Sequence, residues 1–453
     1  MALVITRHVL TIPASADRAA RKVHYRRCGR GPLLLMVHQS PRSSAEYERL
    51  MVEWSAHFTC IAPDTPGFGQ SDPLPNSPEI GEFADALDEF LGELGVETCA
   101  AYGFHSGGII LVAAMLRHPQ RFSALAIGGY AIWTAEEMRN FGKSYLPPFQ
   151  PLAYGEHLTW LWNRMLEQSW YFPWFDVRDE ARLPGAHADA AKVHAAVLEM
   201  LDAGDAYRAG YGAVLRAPRD IPPPEAITPP VLITAYAGDP LQSHIARLGT
   251  MPPNWHAQAV ATPADHEAQS LAFLLRHANE APTRLGEDTD EGWIEAAGGL
   301  IHWKGSRSAQ RLVLHQPAAE MADPSVGELA IDVPGHGLSS DLADIGAAIE
   351  AARDALGARD IAWPALVPGD PTQLYPDLTP DRFGAHLLRA WSAARTEALF
   401  APWFAADKDH QIAIDPAALD PAAIALRARA RLRANDAAAR YHQFLISRTG
   451  NGR

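Results

Sequence analysis

Apolar runs of five to seven residues recur through the first part of the chain, separated by stretches of a different period. Leu33-Leu-Leu-Met-Val37, Phe58-Thr-Cys-Ile-Ala62, the run into Phe104, 122–128 and Val231-Leu-Ile-Thr-Ala-Tyr236 lack the alternation of a half-exposed strand. Such runs suit a parallel sheet covered on both faces. Residues 79–94 instead place Phe83, Leu87, Phe90, Leu91 and Leu94 on one helical stripe that stops at Gly95. Residues 109–116 predict a buried helix, and 3–12 and 22–27 two short leading strands. The alternation lapses over 131–218, which is helix-rich and dense in aromatics (Trp160, Trp162, Trp170, Trp174), and resumes after the prolines at 222–224. The expected fold class is α/β: a mostly parallel sheet interrupted by a helix-rich stretch.

One stretch organises this pattern. Tyr102-Gly103-Phe104-His105-Ser106-Gly107-Gly108 joins an apolar strand to an apolar helix, with glycines two residues either side of His105. That spacing marks a strand-to-helix corner too tight for side chains at the flanking positions. With Ser106 at the apex, bulky Phe104 would fall where a glycine is needed, so His105 is placed at the tip.

Three motifs then fall in a fixed order: the loop His38-Gln39-Ser40-Pro41 after an apolar strand, the turn Asp64-Thr65-Pro66-Gly67-Phe68-Gly69-Gln70-Ser71, and the glycine-bracketed corner. Together residues 30–130 resemble the N-terminal half of an α/β-hydrolase, with the corner matching its nucleophile elbow, G-x-nucleophile-x-G. The departure lies at the apex, where Ser, Cys or Asp is expected and His105 stands. The resemblance implies a catalytic acid after the strand 231–236, which is Asp239, and a catalytic histidine after 259–261, which is His266. It also implies oxyanion amides at Gln39 and Ser106. His38 and the Ser106 hydroxyl are possible supports, although bracing its loop is the simpler role for His38.

Composition narrows the partners. The 453 residues are 47% hydrophobic and 20% charged, with a net charge of −14. That balance argues against nucleic acid or an anionic membrane surface, and leaves a small-molecule substrate as the expected partner. No window is long and apolar enough to span a membrane, and the short apolar start is broken by Arg7 and His8. Cys28, Cys60 and Cys99 have no metal-ligand spacing and read as buried thiols. A cytoplasmic location is expected. So is a site without metal or cofactor, since a zinc site from His38, His105 and His266 has no ligand-spaced motif behind it.

The second part of the chain repeats the first in outline. His302-Trp303-Lys304 mirrors His24-Tyr25-Arg26, the run to Pro317 mirrors that to Pro41, and 331–339 mirrors the Asp64–Ser71 turn. A strand is expected at 365–367. Where a corner should follow, the chain has Gly369-Asp370-Pro371 and passes to a cap-like stretch. There His386, Trp391 and Pro402 keep the spacing of His157, Trp162 and Pro173, 5 and 16 residues from the histidine. The expected domains are a core at 1–130 and 219–280, a cap at 131–218, a linker at 281–292, a degenerate partial core at 293–375 and a second cap-like region at 376–453. The second copy is expected to pack on the first as a pseudo-dimer.

Three classes of function remain. In the first, His105 with an Asp239–His266 pair hydrolyses an ester, amide, thioester or activated C–C bond of a small apolar or aromatic carbonyl compound. In the second, paired histidines run a lyase, isomerase or cofactor-free oxygenase reaction. In the third, the site is a small-molecule-binding pseudoenzyme.

Overall fold

The computed structural model describes residues 5–15, 18–218, 221–279 and 290–450. They divide into two compact units, one drawn from 1–149, 164–187 and 196–287, the other from 150–163, 188–195 and 288–453.

The first unit carries an eight-stranded sheet: β1 (Thr6–Ile12), β2 (Arg21–Gly29), β3 (Leu33–Val37), β4 (Thr59–Pro63), β5 (Cys99–Phe104), β6 (Phe122–Gly128), β7 (Val231–Tyr236) and β8 (Trp255–Val260). Their order is β1-β2-β4-β3-β5-β6-β7-β8. The pairs β1–β2 and β2–β4 are antiparallel, and every pair from β4 to β8 is parallel. Both faces are covered. Leu33, Leu35 and Val37 pack with Phe83, Phe90, Ile110 and Leu111, while Leu34 and Met36 pack with Leu50, Trp54 and Phe273. This double burial is why the apolar runs do not alternate. The three cysteines are buried and unbonded.

The helices expected at 131–218 form as Ala135–Ser144, Glu156–Glu167, Ala190–Ala203 and Ala206–Arg216. This stretch does not stay in one piece, because 150–163 and 188–195 group with the second unit.

The second unit has a five-stranded sheet of β9 (Glu291–Ala296), β10 (Gly299–Gly305), β11 (Arg311–Leu314), β12 (Glu328–Ile331) and β13 (Asp360–Ala362), ordered β13-β11-β12-β10-β9. Reversed, that is the order of β1 to β5 in the first sheet. Individual contacts recur as well. His302 Nδ1 pairs with Asp332 Oδ2 at 2.7 Å, as His24 Nδ1 does with Asp64 Oδ2 at 2.8 Å. Ser339 Oγ accepts the His302 N–H at 2.9 Å, and Ser71 Oγ accepts that of His24 at 3.0 Å. The Val333 N–H donates to His315 Nε2 at 3.0 Å, as Thr65 N–H does to His38 Nε2 at 2.9 Å.

Two expectations about this region change. Most of the expected linker, 281–289, lies outside the described residues, and β9 has already begun at Glu291. The last strand is at Asp360–Ala362 rather than 365–367. Pro364 explains the shift, since it has no N–H to continue the ladder. Among the described residues no strand follows β13.

Candidate active site

His105 sits where β5 meets the helix Ser106–Arg117, with φ 47° and ψ −114°. An L-residue rarely adopts this backbone, and strain of this kind marks functional corners. The glycines make the corner possible. A Cβ on Gly107 would lie 1.9 Å from the Val37 carbonyl oxygen, and one on Gly103 would lie 2.8 Å from the Gly107 backbone.

The corner aims the imidazole at the loop after β7. His105 Nε2 lies 3.1 Å from Asp239 Oδ1, with side chains 24% and 0% exposed. Asp239 Oδ1 also accepts the Leu241 N–H at 2.8 Å. Burial alone would raise the Asp239 carboxyl. The adjacent His105, the hydrogen bond from it and the Leu241 amide outweigh burial and hold it below its usual value. An ionised Asp239 takes the Nε2 proton as its hydrogen bond, which leaves the lone pair on Nδ1. Among the described residues nothing hydrogen-bonds that nitrogen.

The expected pairing of Asp239 with His266 is therefore corrected: Asp239 meets His105. His266 is 2% exposed, with Nε2 at 2.8 Å from Tyr102 Oη and Nδ1 at 2.5 Å from Thr234 Oγ1. The reason is local. Thr262 and Asp265 form a capping box around the start of the helix Pro263–Arg276, so His266 rides on that helix's first turns and faces the sheet. Burial lowers its pKa to about 4, so it is neutral near physiological pH. The Phe104 ring touches both histidines, stacked on His105 at 4.2 Å and edge-on to His266 at 5.6 Å.

The oxyanion amide expected at Gln39 is also corrected. Its backbone N–H donates to Glu46 Oε2 at 3.0 Å, and its side-chain Nε2 donates to Glu46 Oε1 at 2.5 Å. Burial raises the Glu46 carboxyl, against the pull of Arg42 and the two Gln39 bonds. Ser106 Oγ accepts the Ser40 N–H at 2.6 Å, which ties the hydroxyl into the loop. His38 is held at both nitrogens, by the Gln39 carbonyl at 2.9 Å and by the Thr65 N–H at 2.9 Å. Asp64 is buried, and despite that burial its partners His24 and Arg26 hold it far below the carboxylate range.

Beside Asp239 opens a cavity of about 840 Å³, lined by Trp133, Phe141, Phe172 and Phe175 and by His244 from the same loop as Asp239. No sequence signal pointed to His244. Among the described residues no group of three or more His, Cys, Asp or Glu is placed to hold a metal ion, and no helix is long and apolar enough to cross a membrane.

Sheet order, covering helices and corner define the first unit as an α/β-hydrolase fold, and residues 32–154 match the family described as alpha/beta hydrolase fold. Over 139 residues the chain is 30% identical to haloalkane dehalogenase 2 of Mycobacterium tuberculosis, covering 30% of this chain and 49% of that one. Over 140 residues it is 30% identical to the cis-3-alkyl-4-alkyloxetan-2-one decarboxylase of Shewanella oneidensis, covering 30% and 41%. The chain thus spans half or less of the length of these relatives. Among solved structures, a thermophilic esterase from Thermogutta terrifontis is 16% identical with a TM-score of 0.42, covering 60% of this chain and 100% of that one.

Proposed function

We propose that the first unit is a hydrolase of small carbonyl compounds in which His105, at the position of the nucleophile elbow, is the reactive group and Asp239 its orienting acid. The observation that carries this is the His105 Nε2–Asp239 Oδ1 bond made across the strand–helix corner. Nδ1 is as many bonds from the backbone as the carboxylate oxygens of an aspartate, so it stands where an elbow nucleophile would. In the hydrolytic step Nδ1 takes a proton from water as the water oxygen bonds to the carbonyl carbon, and the carbonyl π pair moves onto its oxygen. The Ser106 amide, first in its helix, is the donor for that oxygen. Collapse breaks the bond to the leaving group, which receives the proton from Nδ1. Asp239 stays ionised and balances the transient imidazolium. His266 serves as a prop under Phe104.

One observation favours a second reading. Glu46 occupies the Gln39 amide, so the site offers one oxyanion donor where acyl transfer ordinarily uses two. A lyase, isomerase or cofactor-free oxygenase would use the same Nδ1 to remove a proton from carbon. Two assays separate them: oxygen label from water in the acid product of an aryl ester supports hydrolysis, whereas no ester turnover with solvent deuterium exchanged into the carbon beside a ketone carbonyl supports the second reading. Tight binding without turnover supports the pseudoenzyme reading. In the ester assay Asp239→Asn is expected to lower turnover about 10²–10⁴-fold by releasing the tautomer.

The second sheet we read as a partial copy without a corner, and so without catalysis. The shared strand order and recurring contacts support this. The cap segments also meet reciprocally inside the second unit. Trp162 Nε1 donates to the Arg382 carbonyl at 3.1 Å and Trp391 Nε1 to the Ala153 carbonyl at 3.4 Å. The His157 ring lies 4.9 Å from Trp391, and that of His386 lies 5.2 Å from Trp162. Such exchange of equivalent contacts is the signature of a two-fold interface. A chain truncated near residue 285 that stayed soluble, monomeric and fully active would count against the pseudo-dimer.

A further inference from the structure

The cavity beside Asp239 has walls of one chemical kind and a rim of another. Trp133 meets Phe141 edge-on at 4.8 Å and lies nearly parallel to Phe172 at 6.0 Å, and Phe175 completes an aromatic lining. The guanidinium groups at the cavity are each occupied by a carboxylate: Arg178 by Asp176 at 2.5 Å, Arg182 by Asp179 at 2.8 Å, and Arg247 by Glu137 at 2.9 Å. Four carboxylates (Glu137, Asp176, Glu180 and Asp239) line the cavity against these three guanidiniums, so its wall carries no net positive charge to draw an anion. The lining therefore suits an uncharged ligand.

His244 supplies the polar contact. It is 3% exposed, and its Nδ1 accepts the Ile132 N–H at 2.9 Å. That bond fixes the tautomer and puts the ring proton on Nε2, which has no protein partner among the described residues. Burial also lowers the pKa of this imidazole to about 4, so it stays neutral and keeps a single N–H to offer. A neutral histidine donor is suited to a carbonyl oxygen because it gives a hydrogen bond without giving up a proton.

We propose that this cavity binds the neutral aromatic portion of the substrate and that the His244 Nε2–H holds an acceptor oxygen on it. The proposal rests on the His105–Asp239 reading only for calling the ligand a substrate; the binding itself is tested apart from turnover. His244 is then a specificity-determining residue, and the excluded ligands are carboxylates.

The test is calorimetric titration of the full chain with benzamide, cyclohexanecarboxamide and benzoate. Benzamide is expected to bind, about fivefold more tightly than the saturated ring, the difference that aromatic contacts supply. Benzoate is expected to bind at least about tenfold more weakly than benzamide, because it is desolvated beside a lining with more carboxylates than guanidiniums. His244→Leu should weaken benzamide about tenfold through the lost hydrogen bond. His244→Asn serves where leucine does not fold, since its shorter amide can still accept from Ile132. The inference is overturned if benzamide fails to bind, if benzoate binds as well as benzamide, or if folded His244 variants bind as wild type does. Benzamide binding without ester turnover would overturn only the hydrolase reading. Ester turnover with unaltered His244 variants would overturn only the cavity assignment.

Discussion

Replacing His266 with leucine distinguishes a structural histidine from a catalytic one, and the cost can be worked from its contacts. The imidazole is the hydrogen-bond partner of both Tyr102 Oη and Thr234 Oγ1, whose residues are 3% and 0% exposed. Leucine leaves two buried hydroxyls without that partner, at about 1–3 kcal/mol each. Its apolar side chain recovers part of the loss against Phe104 and Tyr236, leaving a net destabilisation of about 3 kcal/mol. For a unit of this size that is a fall in Tm of about 6–12 °C. Turnover of an aryl ester, measured well below the lowered Tm, should stay within about threefold of wild type, because the His105–Asp239 bond is untouched. The assays are thermal unfolding by circular dichroism and initial rates on the same preparation. An unchanged Tm with turnover lost by about 100-fold or more would refute this reasoning and return His266 to the catalytic machinery.

Two other outcomes follow from the same contacts. Stability should fall in mild acid: the unfolded chain binds protons at its histidines near pH 6.5, whereas burial holds His244 and His266 unprotonated down to about 4. The stabilisation is complete above the unfolded value and lost as pH drops toward the folded one, about 3 kcal/mol for each ring; urea unfolding at a series of pH values would show it, and a flat profile would contradict it. Gly129→Ala should cost both stability and turnover, since at φ 59° the new Cβ would lie 2.7 Å from His105 Nε2 and 2.8 Å from Asp239 Oδ2; a variant with wild-type rates would show that the dyad tolerates being pushed apart.

The parts of the fold written in local pattern were legible in the sequence. Non-alternating apolar runs announced a sheet buried on both faces, and the Gly103–Gly107 bracket placed His105 at the corner with its backbone strain. What the sequence concealed depends on side-chain direction. Asp239 reaches His105 rather than His266, a choice made by where the corner aims the imidazole. A signal did exist in Thr262-Pro263-Ala264-Asp265, a helix-start pattern that puts His266 on a helix facing the sheet. The loss of the Gln39 amide to Glu46, seven residues further on, had no such sign, because local pattern does not reveal how a loop folds back on itself. His244 was invisible for the same reason: its tautomer is set by Ile132, far away in the chain.

The most direct measurement is kcat/KM for aryl ester hydrolysis by His105→Asn, a substitution chosen because asparagine tolerates positive φ. A fall of at least about 100-fold with an unchanged circular dichroism spectrum is expected, since the reactive nitrogen is removed and the fold is not. A variant that turns over the ester at the wild-type rate would contradict the assignment of His105 as the group that does the chemistry.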